Sequence, residues 1–100
     1  DTQGAEEAFV RALAMDRTNQ IALYELARIR YEAQDYATAN KYYDTYRTVV
    51  RKQSAAGLLL GIQLAKAEGD RDSEASYALA LRNLYPNSAE YQAYKRTVKR

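Results

Sequence analysis

The chain has 100 residues, 47% hydrophobic and 28% charged, with a net charge of +2. That size supports one modest hydrophobic core, and that balance gives no electrostatic reason to expect nucleic acid or an anionic membrane surface as a partner. Neither cysteine nor histidine occurs, which excludes disulfides, thiol nucleophiles, thiolate zinc sites and the usual general base, and no apolar run of about 18 residues is present to cross a bilayer.

In chain order, apolar spacing predicts about six helices and no strands. The first covers residues 3–15, with Ala5, Ala8, Phe9, Ala12 and Leu13 on one stripe, and ends at Asp16-Arg17-Thr18-Asn19. The second covers residues 20–33, with Leu23, Leu26, Ala27 and Arg30 at helical spacing, before the short turn Gln34-Asp35. The third covers residues 36–52, with Ala39, Tyr42, Tyr43, Tyr46 and Val50 facing inward. Ser54 caps a fourth helix that ends at Glu68, and Gly69-Asp70 makes the next turn, where glycine accepts a left-handed conformation. The fifth covers residues 71–84 and stops at Tyr85-Pro86, because a residue before proline avoids the helical region. Asn87 then reads as an N-cap, with Glu90 three residues on completing a capping box for a sixth helix that carries Tyr91, Tyr94 and Val98. Loops of two to four residues between such helices force antiparallel packing.

An internal period organises these segments. Ala5, Phe9 and Ala12 return in spacing as Ala39, Tyr43 and Tyr46, the first two in type as well, each pair 34 residues apart, the period of the tetratricopeptide repeat. The predicted fold is therefore an all-α tetratricopeptide solenoid of antiparallel helix pairs. Residues 1–18 form the second helix of a truncated repeat, 19–53 a repeat, 54–87 a degenerate repeat with Glu74 at the expected small position, and 88–100 a capping helix. One helix pair cannot bury its apolar face alone, so repeats stack. A chain that opens inside a helix reads as a piece of a longer protein, and its uncovered first helix, with Ala5, Phe9 and Leu13, is expected to self-associate weakly.

Several strings are more specific than the repeat. Tyr42-Tyr43-Asp44, Leu58-Leu59-Leu60-Gly61-Ile62-Gln63-Leu64-Ala65-Lys66, Asp70-Arg71-Asp72, Ala75-Ser76-Tyr77 and Leu84-Tyr85-Pro86-Asn87-Ser88-Ala89-Glu90-Tyr91-Gln92 resemble the PilF/PilW family of type IV pilus biogenesis and stability proteins, in its C-terminal repeats. The resemblance covers about three quarters of the chain, residues 21–94. It implies a tetratricopeptide lipoprotein on the periplasmic face of the outer membrane that acts as a pilotin for the secretin pore. The secretin subunit is then the expected partner, and the membrane is reached only through a lipid anchor outside these residues.

Chemistry is sparse. Asp70, Asp72 and Glu74 resemble the start of a calcium loop, but Leu81 stands where the bidentate glutamate belongs. Gly57 and Gly61 form a G-x-x-x-G string that reads as close helix packing. No serine has a nucleophile-elbow context. Catalytic residues, metal ligands and cofactors are accordingly not expected, and neither is nucleic acid. The ten tyrosines are the anomaly. Tyr43, Tyr46 and Tyr77 read as core. Tyr24 and Tyr31 stand at positions that normally face the concave groove and read either as ordinary surface or as binding residues, because an aromatic ring with a polar tip suits a binding surface. The expected protein-binding groove comprises Tyr24, Arg28, Tyr31, Leu59, Gln63 and Lys66, with Arg28 and Lys66 as isolated cations. The basic tail Lys95, Arg96, Lys99 and Arg100 reads as the solvated face of a cap. A generic peptide-binding co-chaperone or regulatory adaptor is the alternative, and a carboxylate clamp would need more cations at groove positions than these two.

Overall fold

The computed structural model describes residues 1–98. They form α1 (Thr2–Met15), α2 (Gln20–Glu32), α3 (Tyr36–Val49), α4 (Ala55–Glu68), α5 (Arg71–Leu84) and α6 (Ala89–Val98), with no strand among the described residues. The expected helices are present, with one clear boundary difference. α3 stops at Val49 rather than running on to Lys52, and Val50 is extended with ψ of 122°. Two successive β-branched residues lose rotamer freedom in a helix, and the chain must straighten to reach the cap of α4.

Short polar side chains set the helix starts. The Asn19 side chain accepts from the Ala22 N–H at 3.0 Å, Asp35 from Thr38 at 3.3 Å, Ser54 from Gly57 at 3.0 Å and Asp70 from Ser73 at 3.1 Å. Each satisfies a donor that a helix start leaves unpaired. At α6 the cap is Ser88, not Asn87. The Ser88 hydroxyl accepts from the Tyr91 N–H at 3.0 Å and donates to the Tyr85 carbonyl at 2.9 Å. The capping box predicted one residue earlier does not form, because Pro86 delays the turn. Two helix ends use left-handed residues, Gly69 at φ 73° and Gln34 at φ 64°. In both, the following N–H reaches back five residues, Asp70 to the Ala65 carbonyl and Asp35 to the Arg30 carbonyl, each at 2.9 Å.

The chain divides into two compact units, Asp1–Lys52 and a second that begins at Gln53. In the first, α2 packs against α3 on one side and α1 on the other. Ala27 and Ala39 are each 0% exposed, and Leu23, Leu26, Tyr43 and Tyr46 are buried around them. Small residues on both helices allow close approach, and rings fill the space to either side. The Tyr43 and Tyr46 rings lie 5.7 Å apart, and Tyr24 adds a third ring 5.9 Å from Tyr46. On the α1 side, Arg30 forms an ion pair with Glu6 and reaches Asp35 at 3.5 Å.

In the second unit α4 packs against α5, and α6 lies against both. Leu58, Ile62 and Leu81 are its buried cluster, with Tyr77, Tyr85, Tyr91 and Tyr94 packed on it. The Tyr85 hydroxyl donates to the Gln53 carbonyl at 2.7 Å, which ties the end of α5 to the entry of α4. Thirty-four residues after Ala39 stands Ser73, itself small, so Glu74 lies one position off the small-residue register.

Ala39→Leu forces a branched side chain between α2 and α3, and should lower stability by about 1–3 kcal/mol in urea unfolding. An unchanged midpoint would show that the α2–α3 seam is not closely packed. A second expectation concerns acid. Hydrogen bonds from Thr38, its hydroxyl first and its N–H second, hold the Asp35 carboxyl below the usual range, and Ser73 does the same for Asp70. A carboxyl with a depressed folded pKa contributes stability above its unfolded value of about 3.9 and loses it as the pH falls through the folded one. The melting temperature should therefore fall below about pH 4. Asp35→Asn/Asp70→Asn, which keeps a capping oxygen at each site, should flatten that decline. An identical acid limb in the double variant would assign the decline to other groups.

Candidate protein-binding faces

The expected groove residues fall on two helices. Tyr24, Arg28 and Tyr31 lie at i, i+4 and i+7 on α2, so they share one face of that helix. All three are half-buried. Tyr31 packs on Tyr36 with ring centroids 5.7 Å apart, and burial pushes its phenol pKa up. Leu59, Gln63 and Lys66 have the same spacing on α4, the first two half-buried and Lys66 exposed. The two sets belong to different compact units, and each is a face of its own helix.

Arg28 is not an isolated cation. Its Nε and Nη2 donate to Glu25 at 2.9 and 2.7 Å, and its Nη1 donates to Glu32 at 3.0 Å. The Glu25 hydrogen bond is the main cause that raises the guanidinium pKa further. Two carboxylates around one guanidinium leave the α2 face slightly acidic, between two tyrosines. Glu25 and Glu32 stand three before and four after Arg28, the spacing at which helix side chains meet. That spacing was the available signal for this neutralisation.

The acidic string Asp70, Asp72 and Glu74 is used by α5 itself. Asp70 is the N-cap, and Asp72 and Glu74 lie in the first turn, where negative charge complements the helix dipole. Among the described residues no group of three acidic side chains is placed to hold a metal ion. Gly57 and Gly61 are buried on α4. In the basic tail Lys95 sits over the Tyr91 ring, 5.0 Å from its centroid, and Arg96 is exposed; Lys99 and Arg100 lie outside the described residues.

Two shallow recesses lie away from these faces. One, of about 270 Å³, runs between α5 and α6 and is lined by Ala75, Ala78, Leu79, Arg82, Tyr91 and Tyr94. The other, of about 410 Å³, lies along α1 and is lined by Gln3, Glu6, Glu7, Val10 and Arg11.

Helices in pairs, a 34-residue register and buried small residues with aromatic fillers define a tetratricopeptide-repeat protein. No protein-family model matches the chain. The type IV pilus assembly protein PilF of Pseudomonas aeruginosa is 42% identical over 91 residues, which cover 91% of this chain and 36% of that protein. The chain thus spans about a third of the length of that relative. The solved structure of Pseudomonas aeruginosa PilF superposes with a TM-score of 0.90 at 40% identity, over 96% of this chain and 43% of that one. PilW, described as a widely conserved type IV pilus biogenesis factor, superposes with a TM-score of 0.82 at 32% identity, over 93% and 42% of the two chains. Over the residues it spans, the chain belongs to the PilF/PilW family of type IV pilus biogenesis proteins. That kinship points to the cell envelope. No helix of the described residues is long and apolar enough to cross a membrane.

Proposed function

We propose that the chain is part of a non-enzymatic scaffold for protein–protein contacts in type IV pilus biogenesis. In this reading it acts as a pilotin, supporting assembly of the outer-membrane secretin and the stability of the pilus. It works from the periplasmic face of the outer membrane, held there by a lipid anchor outside these residues. The observation that carries the reading is the 42% identity to a type IV pilus assembly protein, on a fold that offers helix faces rather than a reactive cleft. The secretin subunit is the proposed partner. The contact residues are Tyr24, Arg28 and Tyr31 on α2 and Leu59, Gln63 and Lys66 on α4. Tyrosine and arginine often dominate protein interfaces, but the pairing of Arg28 with Glu25 and Glu32 gives the tyrosines the larger share here.

The same pairing weighs against the co-chaperone alternative. A clamp for a peptide carboxylate needs free cations aimed at the ligand, and the α2 guanidinium already holds two carboxylates.

Pull-down of the secretin by the full-length protein tests the proposal. Tyr24→Ala/Tyr31→Ala should cut capture by about tenfold or more, and Lys66→Glu, at an exposed position on α4, should weaken it. Arg28→Met should change it little. Undiminished capture by a folded double tyrosine variant and by Lys66→Glu would exclude these faces as the contact.

A further inference from the structure

The charged residues of α2 are Glu25, Arg28, Arg30 and Glu32. Arg30 is turned to α1, where it pairs with Glu6. Arg28 is engaged within its own helix: Nε and Nη2 donate to Oε1 of Glu25, and Nη1 donates to Oε2 of Glu32. Every nitrogen of the guanidinium is thus occupied, whereas each carboxylate uses one oxygen of its two. Glu25 Oε2 and Glu32 Oε1 have no protein partner among the described residues. The Glu25 side chain is 27% exposed and that of Glu32 61%. Two carboxylates on one guanidinium leave a negative charge unbalanced, and an ionised carboxylate oxygen only accepts. What this cluster still offers is therefore a place for a donor with positive charge.

Apolar surface flanks the cluster along the same helix. Ile21, Tyr24, Arg28 and Tyr31 stand at i, i+3, i+7 and i+10, so they share one face. Ile21 is 71% exposed and carries that face on toward the start of α2. The half-buried rings of Tyr24 and Tyr31 are ordered against Tyr46 and Tyr36. An aromatic face attracts a cation. A lysine or arginine lays its methylenes on apolar surface while its head reaches a carboxylate. A phosphate or a peptide carboxylate meets the opposite, two like charges with no free guanidinium to answer it. α2 is an internal helix, packed by α1 and by α3, and this face is the one it leaves open.

We propose that the α2 face receives a partner segment bearing a lysine or arginine between apolar residues, the cation accepted by the free oxygens of Glu25 and Glu32 and the apolar neighbours resting on Ile21, Tyr24 and Tyr31. This rests on the reading of α2 as a partner contact and adds the chemistry of the segment that it contacts. The contact weakens with added salt, because its charges are partly exposed.

A phage-displayed library of random dodecapeptides, selected on the immobilised full-length protein, tests this without the secretin. Peptides enriched on the wild type should carry lysine or arginine between apolar residues. On Glu25→Gln/Glu32→Gln, which keeps the size of both side chains, that enrichment in cations should vanish while the circular dichroism spectrum stays the same. For a selected peptide, replacing its cation by glutamine should weaken binding to the wild type by about fivefold and leave binding to the variant unchanged. Added salt, a measurement that needs no variant, should weaken the same peptide on the wild type. Selected peptides without enriched cations overturn the proposal. So does equal enrichment on the folded variant, or binding indifferent to salt. Secretin capture is a separate readout: if it fails while the peptide selectivity holds, the secretin is excluded as the partner and the cation preference of the α2 face stands.

Discussion

The close approach of α2 and α3 is the constraint on which the first unit depends. How closely two α-helices approach depends on the side chains at the crossing, and small ones bring them nearest. Ala27 and Ala39 supply that on the two helices, and both are fully buried. Larger side chains then close the seam, with Leu23 and Leu26 from α2 and Tyr43 and Tyr46 from α3. If the alanines were large the helices would separate, the tyrosines would lose their packing and Tyr24 would lose the ring it rests on. The α2 face proposed for partner contact is thus held by the seam beneath it.

The fold uses tyrosine where many helical cores use leucine or phenylalanine. A phenol can be mostly buried if its hydroxyl reaches an acceptor or the edge of the core. Tyr85 does so through the Gln53 carbonyl, and Tyr91 and Tyr94 do so by lying half-buried on the Leu58–Ile62–Leu81 cluster. Tyr24 and Tyr31 combine a packed ring with a surface edge, which suits the contact role proposed for them. Their rings are already ordered against Tyr46 and Tyr36, so a partner would spend little conformational entropy in meeting them.

Much of this was legible in the sequence because the determinants are local or periodic. Helical spacing, the Ser54 cap, the left-handed Gly69 and the 34-residue recurrence of small and aromatic residues all lie in short windows. What was misread depended on competition between near-equal local options. Ser88 takes the cap from Asn87 because Pro86 fixes where the turn ends, and α3 stops at Val49 because the Val-Val step and the next cap both favour extended chain. The partners of Arg28, Glu25 and Glu32, lie three and four positions away and off the groove stripe that singles the arginine out as an isolated cation. That Phe9 is only half-buried depends on tertiary packing and carries no signal in the α1 stripe.

Amide hydrogen exchange of the chain under native conditions tests the α2–α3 seam most directly, because protection reports the free energy of opening residue by residue. Within the first unit, the slowest exchange should fall on the helical amides around Ala27 and on those from Ala39 to Tyr46, with α1 exchanging faster than either. Protection that is uniform across the three helices, or greatest in α1, would contradict the claim that the small-residue seam holds this unit together.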